Sequence, residues 1–264
     1  MKLDYGTQLS PDPITLSIGT IRKPRLRDIS KLTFKLFSFY EFFLKLTPEI
    51  YYTKFKIDGG TEYWNNLTQE EQSTLTLYDL IEKEPGLQSQ YVKILNFFFE
   101  ESVIFQEGFF IILNQSVEKI TDETDVSIIR GVISKETFPQ VIGIIQQICC
   151  IYEEEENIDD LPFKNALARQ FYEKMLKAKK KEKEEKKADK DLTIPNIISS
   201  VSNKHPSYNH TNIWDITIFQ LLDSFNKLRL NTIYDIQALR VSVWGDEKKT
   251  FDSTLWHKNE YDKK

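Results

Sequence analysis

Cysteine is nearly missing from this chain of 264 residues, which has two, the neighbours Cys149 and Cys150. A secreted domain stapled by disulfides carries more of them, spaced apart, so the pattern fits a reducing compartment. A bridge between adjacent cysteines is strained, and the pair reads as small, inert core residues. Histidine is scarce too: His205, His210 and His257 lie far along the chain from the cysteines, and neither Cys-x-x-Cys nor His-Glu-x-x-His spacing occurs. No metal and no cofactor is therefore expected. The nine glycines form no phosphate-cradling loop and no Gly-x-Ser-x-Gly elbow, and Gly59-Gly60 reads as a plain turn. Every long apolar run is cut by Lys, Glu or Gln before the roughly 20 residues that a membrane span needs. The opening MKLDYGTQLSPDP has no apolar signal-peptide core. The net charge of -5 gives no basic excess, which disfavours nucleic acid as the main partner.

What the chain does have is apolar mass, 40% hydrophobic and 13% aromatic, enough for one large or two small packed bodies. Closely spaced prolines at Pro11, Pro13 and Pro24 predict an extended arm or an edge element over the first 26 residues, with one short strand in ITLSIGTI. DISKLTFKLFSFYEFFLKL, from Asp28, predicts one largely buried helix that stops before Pro48. Thr68 and Glu71 have capping-box spacing and predict a helix running to a turn at Pro85-Gly86. A helix over 88–101, then either a short hairpin turning at Glu107-Gly108 or a buried helix over VIFQEGFFIIL, and a helix from Thr137 through VIGIIQQICCIY complete the body.

The acidic loop EEEENIDDLP then closes that body, and its mutually repelling carboxylates read as a solvated run rather than a tuned acid and base. TDETDVS, Thr121 to Ser127, lacks the glycine and the closing glutamate of a calcium loop. Asn66, Asn114 and Asn209 stand in glycosylation triplets, which matter only in a secretory setting. KAKKKEKEEKKADKD is a helix-favouring stretch of alternating charge and reads as a spacer. Beyond it, Pro195 marks a helix start and His205-Pro206 a stop. Trp214, Ile218, Leu221, Phe225 and Leu228 recur at helical steps and predict one apolar stripe, and Trp244-Gly245-Asp246 reads as a helix end. The expected architecture is mainly α with a small β element: an α+β body over 1–160 with an extended N-terminal arm, a charged helical spacer over 161–192, and a C-terminal helical module over 193–264. A module of that size is marginal alone and is expected to dock on something.

Arg22, Lys23, Arg25 and Arg27 cluster about Pro24, either flanking a helix start or presenting cations to phosphates or an acidic partner. Two segments carry a family likeness. PITLSIGTIRKPRLRDIS, and NIWDITIFQLLDSFNKL followed by VSVWGD, resemble the tail assembly chaperones and related baseplate assembly proteins of long-tailed bacteriophages, with a Trp-Asp-x-Thr signature at Trp214, Asp215 and Thr217. The resemblance implies a non-enzymatic tail assembly factor in the host cytoplasm. It would hold tape-measure, tail-tube or baseplate hub subunits, and the rival reading is a structural baseplate or adaptor subunit kept in the virion tail. Partner binding would then fall to Arg22, Arg25, Arg27, Trp214, Ile218, Leu221, Phe225 and Trp244, with self-association left open. A nucleic-acid-binding regulator, using the arginines and the lysine run, is the more distant alternative.

Overall fold

Three prolines keep the first 26 residues out of any long helix, but they do not leave them extended. The segment makes a five-residue helix, Tyr5–Leu9, and then a tight hairpin of β1 (Ile14–Leu16) and β2 (Gly19–Ile21), in which Ile14 pairs with Ile21 and Leu16 with Gly19. Leu3, Ile14, Ile21 and Leu26 are buried. The extended arm and single strand expected above are thus corrected: burying these apolar side chains against a core outweighs leaving the segment in water. The computed structural model describes residues 2–55, 58–115, 120, 126–151, 192–246, 249–259 and 261. The acidic loop, all of the charged spacer but Leu192, and most of TDETDVS lie outside the described residues.

The chain divides into two compact units, Met1–Ile151 with Asn212–Asp223, and Tyr152–Thr211 with Ser224–Lys264. In the first, the single helix expected from Asp28 is two, Leu26–Leu32 and Phe34–Leu44. The break is Thr33, at φ 81°, whose hydroxyl accepts the Leu36 amide at 3.3 Å. A threonine bonding forward in this way offers the backbone an alternative to continuing the helix. The capping box forms as expected, with the Thr68 amide 2.8 Å from the Glu71 carboxylate. Its helix, Gln69–Thr74, ends early because a second box, Thr76 with Asp79, opens Leu77–Lys83. Pro85-Gly86, expected as a turn, instead starts the helix Pro85–Phe98, where the missing proline N–H costs nothing.

The hairpin expected at Glu107-Gly108 joins β3 (Ser102–Gln106) to β4 (Phe109–Leu113). Both turn residues have positive φ, 53° and 82°, as a type I′ turn requires. A third antiparallel strand, β5 (Ile129–Ile133), pairs with β4 and had no sequence signal. Its five residues are interrupted by Gly131, where an added Cβ would lie 2.4 Å from the Ile18 carbonyl oxygen. The glycine lets the β1–β2 turn rest on β5. The helix Phe138–Ile148 follows where one was expected but stops before Cys149-Cys150, since Cys150 has a positive φ of 58°.

Aromatic rings fill the centre of this unit. The Tyr78 hydroxyl donates to the Gly108 carbonyl at 2.8 Å and the Ile133 carbonyl at 3.1 Å, while its ring packs on Phe110 and Phe138. Burial pushes its hydroxyl up to about 12. Tyr91, wholly buried, donates to the Phe43 carbonyl at 2.7 Å, which ties the helix Pro85–Phe98 to Phe34–Leu44. Asn96 does the same for β3, accepting the Val103 amide at 2.9 Å and donating to the Val103 carbonyl at 2.6 Å.

In the second unit, Thr193 caps the helix Ile194–Lys204, which has Pro195 in its first turn and ends before Pro206. The longest helix among the described residues, Ile218–Trp244, begins in the first unit and belongs to the second from Ser224 onward. It ends as expected at Gly245, φ 76°, whose amide donates to the Val241 carbonyl at 2.8 Å. Asp246 then accepts the amides of Thr250 and Phe251, each at 2.9 Å, and the chain turns back so that Phe251 packs on the Tyr234 ring. The result is mainly helical with two small antiparallel sheets. Among the described residues no helix is long and apolar enough to cross a membrane.

Candidate functional site

The basic cluster is employed within the first unit. Arg22 donates from Nε to the Phe97 carbonyl at 2.6 Å and lays its guanidinium over the Phe97 ring at 5.3 Å. It therefore sits at the C-terminus of the helix Pro85–Phe98, where orphan carbonyls and the helix dipole favour a cation. Lys23 is buried and gives its ammonium to the Thr7 carbonyl and, at 2.8 Å, to the Ser10 carbonyl. Desolvation lowers its pKa, against the pull of Asp12 and Asp4. Arg25 forms the N-cap of Leu26–Leu32 and pairs its backbone with Thr217. Arg25 and Arg27 also reach Asp215, at 3.9 and 2.5 Å, with both arginine side chains about half exposed.

The two segments that carry the family likeness thus meet in space, though nearly two hundred residues separate them. Each residue of the Trp-Asp-x-Thr signature after the tryptophan has a structural task. Asp215 neutralises Arg27; Ile216 offers its carbonyl to the Leu26 amide at 2.9 Å. Thr217 opens the long helix in a capping box with Gln220, its hydroxyl accepting the Gln220 amide at 3.2 Å. Gln220 also donates to the Leu9 carbonyl at 2.7 Å, and Phe219 meets the Tyr5 ring edge-on. The box was legible as Thr-x-x-Gln and was missed because the expected helix ran unbroken from Trp214. Trp214 instead occupies a short 3-10 turn, Ile213–Asp215, and the helical stripe begins at Ile218.

Ile218 and Leu221 are buried in the first unit, Trp214, Phe225 and Leu228 are half-buried, and Trp244 is exposed. Sequence reasoning grouped them as one stripe; the fold assigns them to separate surroundings. Phe225 and Leu228 line a groove of about 300 Å³ in the second unit, opposite Ser200 and Lys204 of the helix Ile194–Lys204, with Arg229, Thr232 and Ile233 beside them. Lys204 donates to the Thr232 hydroxyl.

Another surface had no sequence-level assignment. Phe39, Phe42, Phe55 and Tyr63 of the first unit are exposed, although aromatic. They are connected through half-buried and buried rings: Phe39 to Phe43 at 4.8 Å, Phe43 to Phe55 at 5.6 Å, Phe55 to Tyr51 at 5.7 Å, and Tyr52 to Tyr63 at 4.8 Å. A π-helical turn, Tyr51–Phe55, presents part of this patch, and such turns are frequent at functional sites. Gly60 allows the next helix to approach, since a Cβ there would lie 2.3 Å from the Tyr52 carbonyl oxygen. The signal was present in FKLFSFYEFFL, a helix apolar on every side that cannot turn all its rings inward. In the helix Phe34–Leu44, burial raises the pKa of Glu41 against the pull of Lys45. Burial also pushes the Cys149 thiol well up, and Cys149 and Cys150 are not joined in a disulfide. Among the described residues no three His, Cys, Asp or Glu side chains converge as a metal-holding group.

Residues 169–261 match the family described as YomV second domain, a family named after a phage-encoded protein. The match suggests a phage protein and takes in the Trp-Asp-x-Thr segment and the long helix. No curated protein and no solved structure matches the chain.

Proposed function

We propose that this protein is a non-enzymatic tail assembly factor of a bacteriophage, a chaperone or baseplate assembly protein that binds other tail proteins such as tape-measure, tail-tube or baseplate hub subunits. The family match supports a phage setting, and the resemblance of the two joined segments supports the tail-assembly role. One observation carries the binding role: the exposed, interconnected aromatic surface of Phe39, Phe42, Phe55 and Tyr63. Aromatic side chains offer large contact area with few rotatable bonds, which is why they dominate protein-binding hot spots. Capture of partners from infected cells with the full chain tests this. Phe42→Ser with Tyr63→Ser is expected to lose a tail-protein partner while keeping the native circular dichroism spectrum, and unchanged capture would remove the aromatic surface from the account. Mass spectrometry of purified virions separates the two forms of the proposal: absence marks a chaperone, and abundance marks a subunit that stays in the particle.

A further inference from the structure

The outer face of the helix Phe34–Leu44 carries charge of one sign as well as rings. Lys35, Phe39 and Phe42 recur at steps of four and three and share that face. Lys45 caps its end, and Phe55, next to Lys54 in sequence, lies 6.3 Å from the Phe42 ring. The helical rise sets Lys35 and Lys45 about 15 Å apart along the axis, with the Phe39 and Phe42 rings between them. Although the chain's net charge is -5, residues 25–55 hold six cations, all exposed, against three carboxylates. Asp28 is spent on its capping box and Glu41 is half-buried, so Glu49 is the one exposed carboxylate of that segment. Arg25 and Arg27 answer Asp215, while Lys31, Lys35 and Lys54 make no ion pair among the described residues.

We propose that this face takes an acidic segment of a partner protein, an amphipathic helix whose apolar side chains lie across Phe39, Phe42 and Phe55 and whose carboxylates meet Lys35 and Lys45 at its two ends. The inference rests on the aromatic surface being the binding site given above, and not on the partner being a tail protein. Charge complementarity selects the occupant: opposite charge steers the encounter and sets the register, and the rings supply the contact area. Single-stranded nucleic acid also offers negative charge, but its bases need open ring faces to stack on. Here Phe39, Phe42 and Phe55 each make a T-shaped contact with Phe43, at interplanar angles of 70, 90 and 77°, and remain only 37 to 41% exposed. A long polyanion would also meet the repulsion of a chain at -5, which a short acidic segment feels far less.

Fluorescence anisotropy of the full chain with two labelled synthetic peptides tests the assignment. Both peptides carry leucines at helical spacing; one has glutamates at each end and the other has lysines. The glutamate peptide is expected to bind about 10-fold more tightly, by less as salt rises, although the chain's net charge favours the lysine peptide. Lys35→Glu with Lys54→Glu is expected to reverse the preference while circular dichroism stays native, a swap that loss of folding would not produce. Equal binding of the two peptides, no binding of either, or a preference untouched by the double substitution overturns the proposal. So does tighter binding of oligothymidine than of the glutamate peptide, which would make this a single-strand surface. A wild-type preference for the glutamate peptide without capture of any tail protein from infected cells upholds the proposal and removes the tail-assembly reading, so the two fail separately.

Discussion

At the scale of single residues, polar side chains in this protein mostly terminate something. Asp79 illustrates the economy of the arrangement: its carboxylate closes the capping box with Thr76 and accepts the Lys135 ammonium at 2.5 Å. Partial burial works against its charge, but the hydrogen bonds from Lys135 and Thr76 win and hold the carboxyl at about 2. A folded-state pKa below the unfolded value of about 3.9 means that this group's contribution is fully present above that value. It is lost as pH falls through the folded pKa. Asp79→Asn is therefore expected to be less stable than wild type near neutral pH, with the difference closing between about pH 4 and about pH 2. Urea unfolding at a series of pH values checks this, and a constant difference down to the lowest pH would contradict it. The basic cluster teaches the same lesson, for Arg22 and Lys23 satisfy carbonyls at the ends of two helices while the Arg25 and Arg27 side chains stay half exposed.

At the scale of elements, capping decides where helices begin more sharply than apolar periodicity does. Thr68, Thr76 and Thr217 each open a helix with an acidic residue or Gln three positions on. Thr217 is the most consequential, because its box fixes the start of the Ile218–Trp244 helix and its backbone pairs with Arg25. Thr217→Ala is expected to cost about 1 kcal/mol, read as a lower urea midpoint without change in slope. Thr68→Ala, at the exposed start of a six-residue helix, should cost less. Equal losses would show that the junction around Thr217 adds nothing beyond an ordinary cap. The elements themselves were unevenly legible. The Glu107-Gly108 hairpin, the Pro195 start and the Gly245 stop follow from local turn and cap chemistry and were read from the sequence. The break at Thr33 and the strand β5 were not, since a positive φ at a threonine and a five-residue strand around Gly131 are stabilised by neighbours distant in sequence.

At the scale of the whole molecule, the first unit is not continuous in sequence. Asn212–Asp223 belongs to it and brings Ile213, Ile218 and Leu221, all buried, into its core. Residues 1–160 expressed alone would leave those partners exposed. That fragment is expected to show a broad, low-temperature melt, and adding a peptide of residues 212–223 should raise and sharpen it, at a magnitude set by mass action. A fragment that melts as cooperatively without the peptide as with it would show that the segment is dispensable. For the same reason, a pull-down comparing two halves cut near Lys181 would report on damaged folding as well as on partners.

The sequence by itself determined the class of this protein: mainly helical with a small β element, short of metal-binding and phosphate-binding patterns, and bearing two segments with a phage tail-assembly likeness. Those properties are written in composition, cap residues and short-range spacing, which act within a few residues of chain. Only the tertiary structure decided that the arginine-rich segment and the Trp-Asp-x-Thr segment lie against each other, that Ile218 and Leu221 are core, and that Phe42, Tyr63 and Leu239 face water. An apolar side chain has no address of its own. The hydrophobic effect is non-directional, so whether a stripe ends as core or as surface depends on which distant segment arrives to cover it.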